Sequence, residues 1–309
     1  MQEGSRSIVL AAFFANLGIA IAKFIGFLIT GAASMLAEAV HSTADTGNQG
    51  LLLLGGKRAA KVATPAHPFG YGRERYFWAF VVAMVLFSLG GLFALYEGVQ
   101  KLREPHEIES VTVAVVILVV AIAFESYALT KAVKHANAER AGQSWWHFIR
   151  HSKNPEVPVV LLEDAGAQIG LFFALIGIAM AEITDNPRWD ALGSLAIGVL
   201  LVIIAVVLAV EMKSLLIGES AGSTDVSAIR RAIEGAPDVK RLIHLRTQHL
   251  GPDELLVAAK VELEGHLSFA EVASAINTTE GQLRAQVPEA RVVYLEPDVA
   301  TDAAVGPAG

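Results

Sequence analysis

Several long stretches of this chain carry no charge, and that decides most of what it can fold into. Residues 77–95, 111–124, 165–181 and 191–210 contain no Asp, Glu, Lys or Arg. An apolar helix of about 20 residues spans the roughly 30 Å hydrocarbon core of a bilayer. Only helices and closed barrels satisfy their backbone there. These runs lack the apolar/polar alternation of barrel strands, so helices are expected. The pattern predicts six, near 8–30, 34–56, 76–100, 110–132, 157–182 and 189–213. The first two are separated only by Gly31-Ala32-Ala33, a tight helical hairpin.

The short loops set an orientation, because Lys and Arg concentrate on the cytoplasmic side. Loop 57–75 carries Lys57, Arg58, Lys61, Arg73 and Arg75, and loop 131–156 carries Lys131, Lys134, Arg140, Arg150 and Lys153. The opposite loops hold only Lys101, Arg103 and Arg188. A multi-pass protein with both termini in the cytoplasm is expected, in the plasma (inner) membrane. The opening residues 1–7 lack the basic head of a cleavable signal, so the first apolar segment is expected to be a retained span. There is no cysteine, which removes disulfides, thiolate metal sites and cysteine nucleophiles. The net charge of -7 resides mostly in the tail, where 14 acids face 8 bases from Glu219 onward. That sign argues against nucleic acid as a partner.

From Ser223 the texture changes. The spacing predicts a helix at 226–234, strands at 241–248 and 255–263 around Gly251-Pro252, a helix at 269–286 and a strand at 290–295. Ser268 and Glu271 have the spacing of a capping box. The result is a small α+β domain at 219–297, after a membrane domain at 1–218 and before an expected disordered tail at 298–309.

The second span is the informative one. Glu38, His41, Asp45, Asn48 and Gln49 recur at steps of three and four, so they share one helix face. A charge at the bilayer centre costs roughly 3 kcal/mol or more, so such a face must meet protein, water or a ligand. Imidazole with carboxylate suits zinc, cobalt, iron or manganese better than calcium or magnesium. A plain His41–Asp45 pair across one turn is the bland alternative. The fifth span adds Glu163, Asp164 and Gln168, at a depth that lets Asp164 meet Asp45 near mid-membrane; the bland alternative is that Glu163 and Asp164 sit at the cytoplasmic water boundary, seven or eight residues past Glu156. Glu125 in the fourth span can line an aqueous approach or relay protons, and Lys23 in the first can pair with a carboxylate. The small residues of the third and sixth spans are expected to serve close helix packing.

Several stretches in order resemble the cation diffusion facilitator family of divalent metal/proton antiporters. They are the run from Asn16 and Lys23 through Thr30-Gly31-Ala32-Ala33-Ser34 to the His41/Asp45 motif, then His67-Pro68-Phe69-Gly70-Tyr71-Gly72-Arg73. Asp190, Ser194 and the 215–220 stretch follow, then His244-Leu245-Arg246-Thr247 and Leu295-Glu296-Pro297. The resemblance implies a membrane all-α fold of six transmembrane helices followed by a ferredoxin-like α+β cytoplasmic domain, and a homodimer formed through that domain. It implies His41, Asp45 and Asp164 as metal ligands. The family's fourth ligand falls on Val160, which leaves water, Glu163, Gln168 or nothing for that place. Glu38 and Glu125 remain as further metal or proton-pathway candidates. In the loop before the third span only His67 keeps a ligand type, with Thr64 and Tyr71 at the other positions. The family's cytoplasmic zinc histidines fall on Ile243, Lys260, Ala273 and Tyr294.

The function expected is export of Zn²⁺, or of Fe²⁺, Co²⁺ or Mn²⁺, in exchange for protons, with the metal as transported substrate, the bilayer as surroundings and no organic cofactor. Imidazole titrates near 6.5 in water and binds metal only when neutral, which makes His41 the natural coupling group. The rival from another class is a membrane-anchored dimeric interaction or metal-sensing protein that has lost transport. An intramembrane enzyme is disfavoured, since HExxH is absent.

Overall fold

The computed structural model describes residues 3–105, 108 and 110–299. The side chain of Asn16 and most of the expected disordered tail lie outside the described residues. Two compact units form: one of the chain to Lys57 with Arg75–Lys213, the other of Arg58–Glu74 with the chain from Ser214. The sequence division cut the chain once, at 218/219, and so assigned loop 58–74 to the membrane domain. It groups instead with the tail, because the Gly72 backbone lies against Leu250 and Gly251.

In the first unit, α1 (Glu3–Thr30) and α2 (Ala33–Ala59) are joined by Gly31, whose φ of +64° ends α1 while its N–H bonds Phe27. The Ser34 hydroxyl and N–H both donate to Asp190, which ties the start of α2 to a later helix. One apolar rod follows in three parts: α3 (Glu74–Val85), a π-helical segment Leu86–Leu92, and α4 (Phe93–Arg103). Next come α5 (Val111–Glu139), the short α6 (Trp145–His151), α7 (Glu156–Thr184) and α8 (Arg188–Ile217). Sequence periodicity did not foresee α6, which is only seven residues long and capped by the Ser144 hydroxyl.

Among the described residues, four segments are long and apolar enough to cross a membrane: Glu74–Arg103, Val111–Glu139, Glu156–Thr184 and Arg188–Ile217. α2 falls short in apolarity, not in length: its 27 residues measure about 40 Å at 1.5 Å per residue. Its polar face is what lowers it.

The glycines of the third and sixth spans do serve close packing. A Cβ on Gly98 would stand 2.7 Å from Leu195 Cγ, one on Gly91 2.7 Å from Val202 Cγ2, and one on Gly198 2.8 Å from the Leu95 nitrogen. Without side chains there, α4 and the π segment lie directly on α8.

In the second unit, α9 (Ser223–Glu234), β1 (Val239–Gly251), β2 (Glu254–Leu263), α10 (Phe269–Gln286) and β3 (Val292–Pro297) follow in order. β1 and β2 form an antiparallel hairpin turning at Pro252 and Asp253, and β3 returns parallel to β2 after α10. The sheet order is β1-β2-β3. A ferredoxin-like unit runs β-α-β-β-α-β, so its opening strand has no counterpart among the described residues. Leu255, Val257, Ala259 and Val261 of β2 alternate inward onto Ile229, Ile233 and Leu283 of the helices. The capping box is present: Glu271 accepts from the Ser268 N–H at 2.7 Å, and Ser268 Oγ from the Glu271 N–H at 3.4 Å.

Two outcomes follow. Gly98→Ala should lower the thermal midpoint of the detergent-purified chain by several degrees, since overpacking costs about 1–3 kcal/mol. Gly56→Ala, with nothing within 4 Å of the added carbon, should leave the midpoint within a degree or two. On the sheet, hydrogen bonds from Lys240 at 2.7 Å and Arg241 at 2.6 Å hold the Glu262 carboxyl below the usual carboxylate range. A depressed folded pKa stabilises above the ordinary value and is lost as pH falls through the folded one. The stability gap between wild type and Glu262→Gln should therefore be present at pH 6 and close on acidification below about pH 4.5, as read by denaturant midpoints.

Candidate metal-transport site

α2 brings its polar face inside the first unit. Glu38, His41 and Asn48 are fully buried there. The Lys23 ammonium of α1, itself buried, donates to Glu38 Oε2 at 3.0 Å and to Ser42 Oγ at 2.7 Å. This fixes the rotation of α2 against α1. His41 Nε2 stands 3.4 Å from Asp45 Oδ2, an ion-pair distance without hydrogen-bond alignment. Among the described residues, both His41 ring nitrogens, Asp45 Oδ1 and Gln49 Oε1 are buried without a hydrogen-bond partner.

Asp45, Ser42 and Gln49 of α2, Glu125 of α5, and Val160, Glu163 and Asp164 of α7 line one cavity. The space open to a water-sized sphere is about 10 Å³, enough for roughly one water or one bare ion. Asn48 Nδ2 donates to Glu163 Oε1 at 2.7 Å, so one carboxylate oxygen is already engaged.

The expected residues thus divide. Asp45, Asp164, Glu163 and Glu125 share the cavity. His41 is not among its lining residues: its Nε2 is 3.4 Å from Asp45 Oδ2, and a Cβ on Gly90 of the π segment would come within 3.8 Å of its Nδ1. Gln168 accepts from Ser126 Oγ at 3.1 Å and does not reach the cavity. Glu38 is held by Lys23, and its other oxygen points at Gly170 of α7, where a Cβ would be 2.5 Å away. Among the described residues no three of His, Cys, Asp and Glu already stand close enough to hold an ion. Ser42 and the π segment beside His41 were missed from sequence; the pair Gly55-Gly56 lies in regular α-helix, so the adjacent glycines Gly90-Gly91 were no signal for a π segment.

Outside the membrane unit, Lys260 is ion-paired with Glu296 at 3.1 Å and Asp298 at 2.9 Å. In the loop, Thr64 Oγ1 and Tyr71 Oη lie 3.1 Å apart, and the His67 ring packs on Tyr71 at 4.6 Å.

Chemically, carboxylates around a water-sized space need positive charge. At 4 Å two like charges repel by about 4 kcal/mol even at an effective dielectric of 20. The family model for the cation efflux transmembrane domain matches residues 9–217, and that for the cation efflux cytoplasmic domain matches 221–298. The chain belongs to the cation diffusion facilitator family. It is 32% identical over 267 residues to the human mitochondrial proton-coupled zinc antiporter SLC30A9, covering 86% of this chain and 47% of that protein. It is 27% identical over 268 residues to metal tolerance protein C4 of Arabidopsis thaliana, covering 86% and 59%. To the magnetosome protein MamB of Magnetospira sp. it is 22% identical over 284 residues, covering 92% of both. The chain spans about half the length of the zinc antiporter relatives it matches.

For this family member the buried pair Lys23–Glu38 gives a direct test. Removing one partner of a buried ion pair costs about 3–5 kcal/mol, whereas replacing both with apolar groups is often near neutral. Lys23→Met and Glu38→Met should each lower the thermal midpoint strongly. The double variant should be more stable than either single one.

Proposed function

We propose that this chain exports a divalent transition-metal cation in exchange for protons. Zn²⁺ is the foremost candidate, and Fe²⁺, Co²⁺ and Mn²⁺ are the alternatives. The observation that carries the reading is the gathering of Asp45, Glu163 and Asp164 around a water-sized cavity, beside a buried His41 with both ring nitrogens unpartnered. Membership of a cation efflux family and similarity to a proton-coupled zinc antiporter support it.

In this reading α1 and α2 complete six spans, the basic loops put both termini in the cytoplasm, and 1–218 is the transport domain. The domain at 219–297 is a ferredoxin-like relative lacking the opening strand, and it joins two copies into a homodimer. The cation enters between α2 and α7. Asp45 and Asp164 bind it, His41 swings from Gly90 to supply imidazole, and Glu163 takes the fourth place after releasing Asn48. Val160 leaves that place to Glu163 because its methyls cannot coordinate. Glu125 passes protons to the same carboxylates, whose neutralisation expels the ion as the helices change access.

The test is uptake of each of the four metals into proteoliposomes under an imposed pH gradient. Wild-type uptake should follow the gradient, and Asp45→Ala/Asp164→Ala should fall to the background of empty liposomes. His41→Ala should lose metal-driven proton movement. A second reading, a metal-sensing or interaction protein without transport, is favoured by Val160 at the cavity. Wild-type flux no greater than the double variant's for every ion would establish that one instead.

A further inference from the structure

Helix α6 has no part in the cavity, yet it carries two exposed tryptophans side by side. Its Phe148 is buried against Ala136 of α5 and Val157 and Leu161 of α7. That contact lays α6 across the ends of two spans. α5 has 29 residues and is about 43 Å long, against a hydrocarbon core of about 30 Å. Ala136, near its end, therefore sits where the span leaves the apolar layer. Trp146, two residues before Phe148 and so on the other side of the helix, is 60% exposed, and Trp145 is 37% exposed. The Arg140 guanidinium lies 4.4 Å over the Trp145 ring, and that of Arg150 5.8 Å over Trp146.

The charge of this connection is opposite to that of the chain. Residues 131–156 hold Lys131, Lys134, Arg140, Arg150 and Lys153 against Glu139 and Glu156, in a protein of net charge -7. Both acids are engaged: Glu156 with Arg75 at 2.7 Å and Glu139 with His135 at 3.3 Å. Lys131 and Lys134 are exposed on the last turns of α5.

We propose that α6, with Lys131 and Lys134, is an interfacial anchor that binds the headgroups of anionic phospholipids. Tryptophan favours the headgroup level, and basic side chains beside a span attract anionic lipid. The patch continues the exposed apolar side of α5, where Phe124 and Tyr127 are 56% and 65% exposed. A second copy fits less well, because a twofold contact would set the same basic patch against itself. Since α6 bridges α5 and α7, and Arg150 pairs with Glu211 of α8, a bound lipid would hold three helix ends together. The inference rests on α5 and α7 crossing a bilayer and not on the transport reading.

The test uses the full chain in nanodiscs of phosphatidylcholine with increasing phosphatidylglycerol, the lipids brominated near the headgroup end of the acyl chains. The chain has four tryptophans, so the fluorescence of wild type minus that of Trp145→Phe/Trp146→Phe isolates the α6 pair. All four residues varied in this test are exposed, and size-exclusion profiles should be unchanged. The difference signal should be quenched, and quenching should rise with phosphatidylglycerol. In Lys131→Gln/Lys134→Gln its dependence on phosphatidylglycerol should weaken about fivefold or more. A difference signal untouched by brominated lipid would overturn the anchor, whether the pair is then open to aqueous acrylamide or shielded by a second copy. Quenching equal in both lipids and unaltered by the lysine substitutions would overturn the headgroup assignment.

Discussion

The ion pair between Lys23 and Glu38 is the constraint from which the rest of the membrane unit follows. Helix α2 carries Glu38, His41, Asp45 and Asn48 on a face that hydrocarbon would reject. Burying that face against protein is the first requirement. Supplying positive charge is the second, and the Lys23 ammonium, bonded to Glu38 and Ser42, meets part of it. It neutralises the carboxylate one turn before His41, while among the described residues Asp45, Glu163 and Asp164 have no Lys or Arg in an ion pair with them. The unit is thus built with a charge deficit located at the cavity, which a mobile cation or protons can fill.

The helices around α2 are arranged for close approach more than for bulk. Gly91 and Gly98 bring the third span onto α8, and Gly170 makes room on α7 for Glu38. The π segment Leu86–Leu92 puts Gly90 beside His41. One extra residue in that turn loosens the backbone where the imidazole is lodged. Among the described residues both ring nitrogens of His41 lack a hydrogen-bond partner, so no hydrogen bond holds the imidazole in its present place.

Much of this was legible in the sequence. The uncharged runs gave the apolar helices, and the spacing of Glu38, His41 and Asp45 gave their common face. Ser268 and Glu271 gave the start of α10 to the residue. What was not legible has identifiable reasons. α6 is too short for periodicity to register, and the π segment has the same unbroken apolar texture as the α-helices on either side. Gln168 shares the face of Asp164 on a helical wheel, but Ser126 claims it through a contact 42 residues distant in sequence. His41 packs beside Gly90 and is not among the cavity's lining residues, a long-range contact that spacing along α2 alone could not announce. Loop 58–74 joins the second unit through a glycine contact that composition does not announce.

The central claim is that the space between α2 and α7 holds the transported cation. Zinc-edge X-ray absorption on the purified chain with one equivalent of Zn²⁺ tests it most directly. The account predicts a nitrogen and oxygen shell at about 2.0–2.2 Å with an imidazole signature, lost in Asp45→Ala/Asp164→Ala. Stoichiometric zinc with the same spectrum in that double variant, or no bound zinc in the wild type, would contradict it.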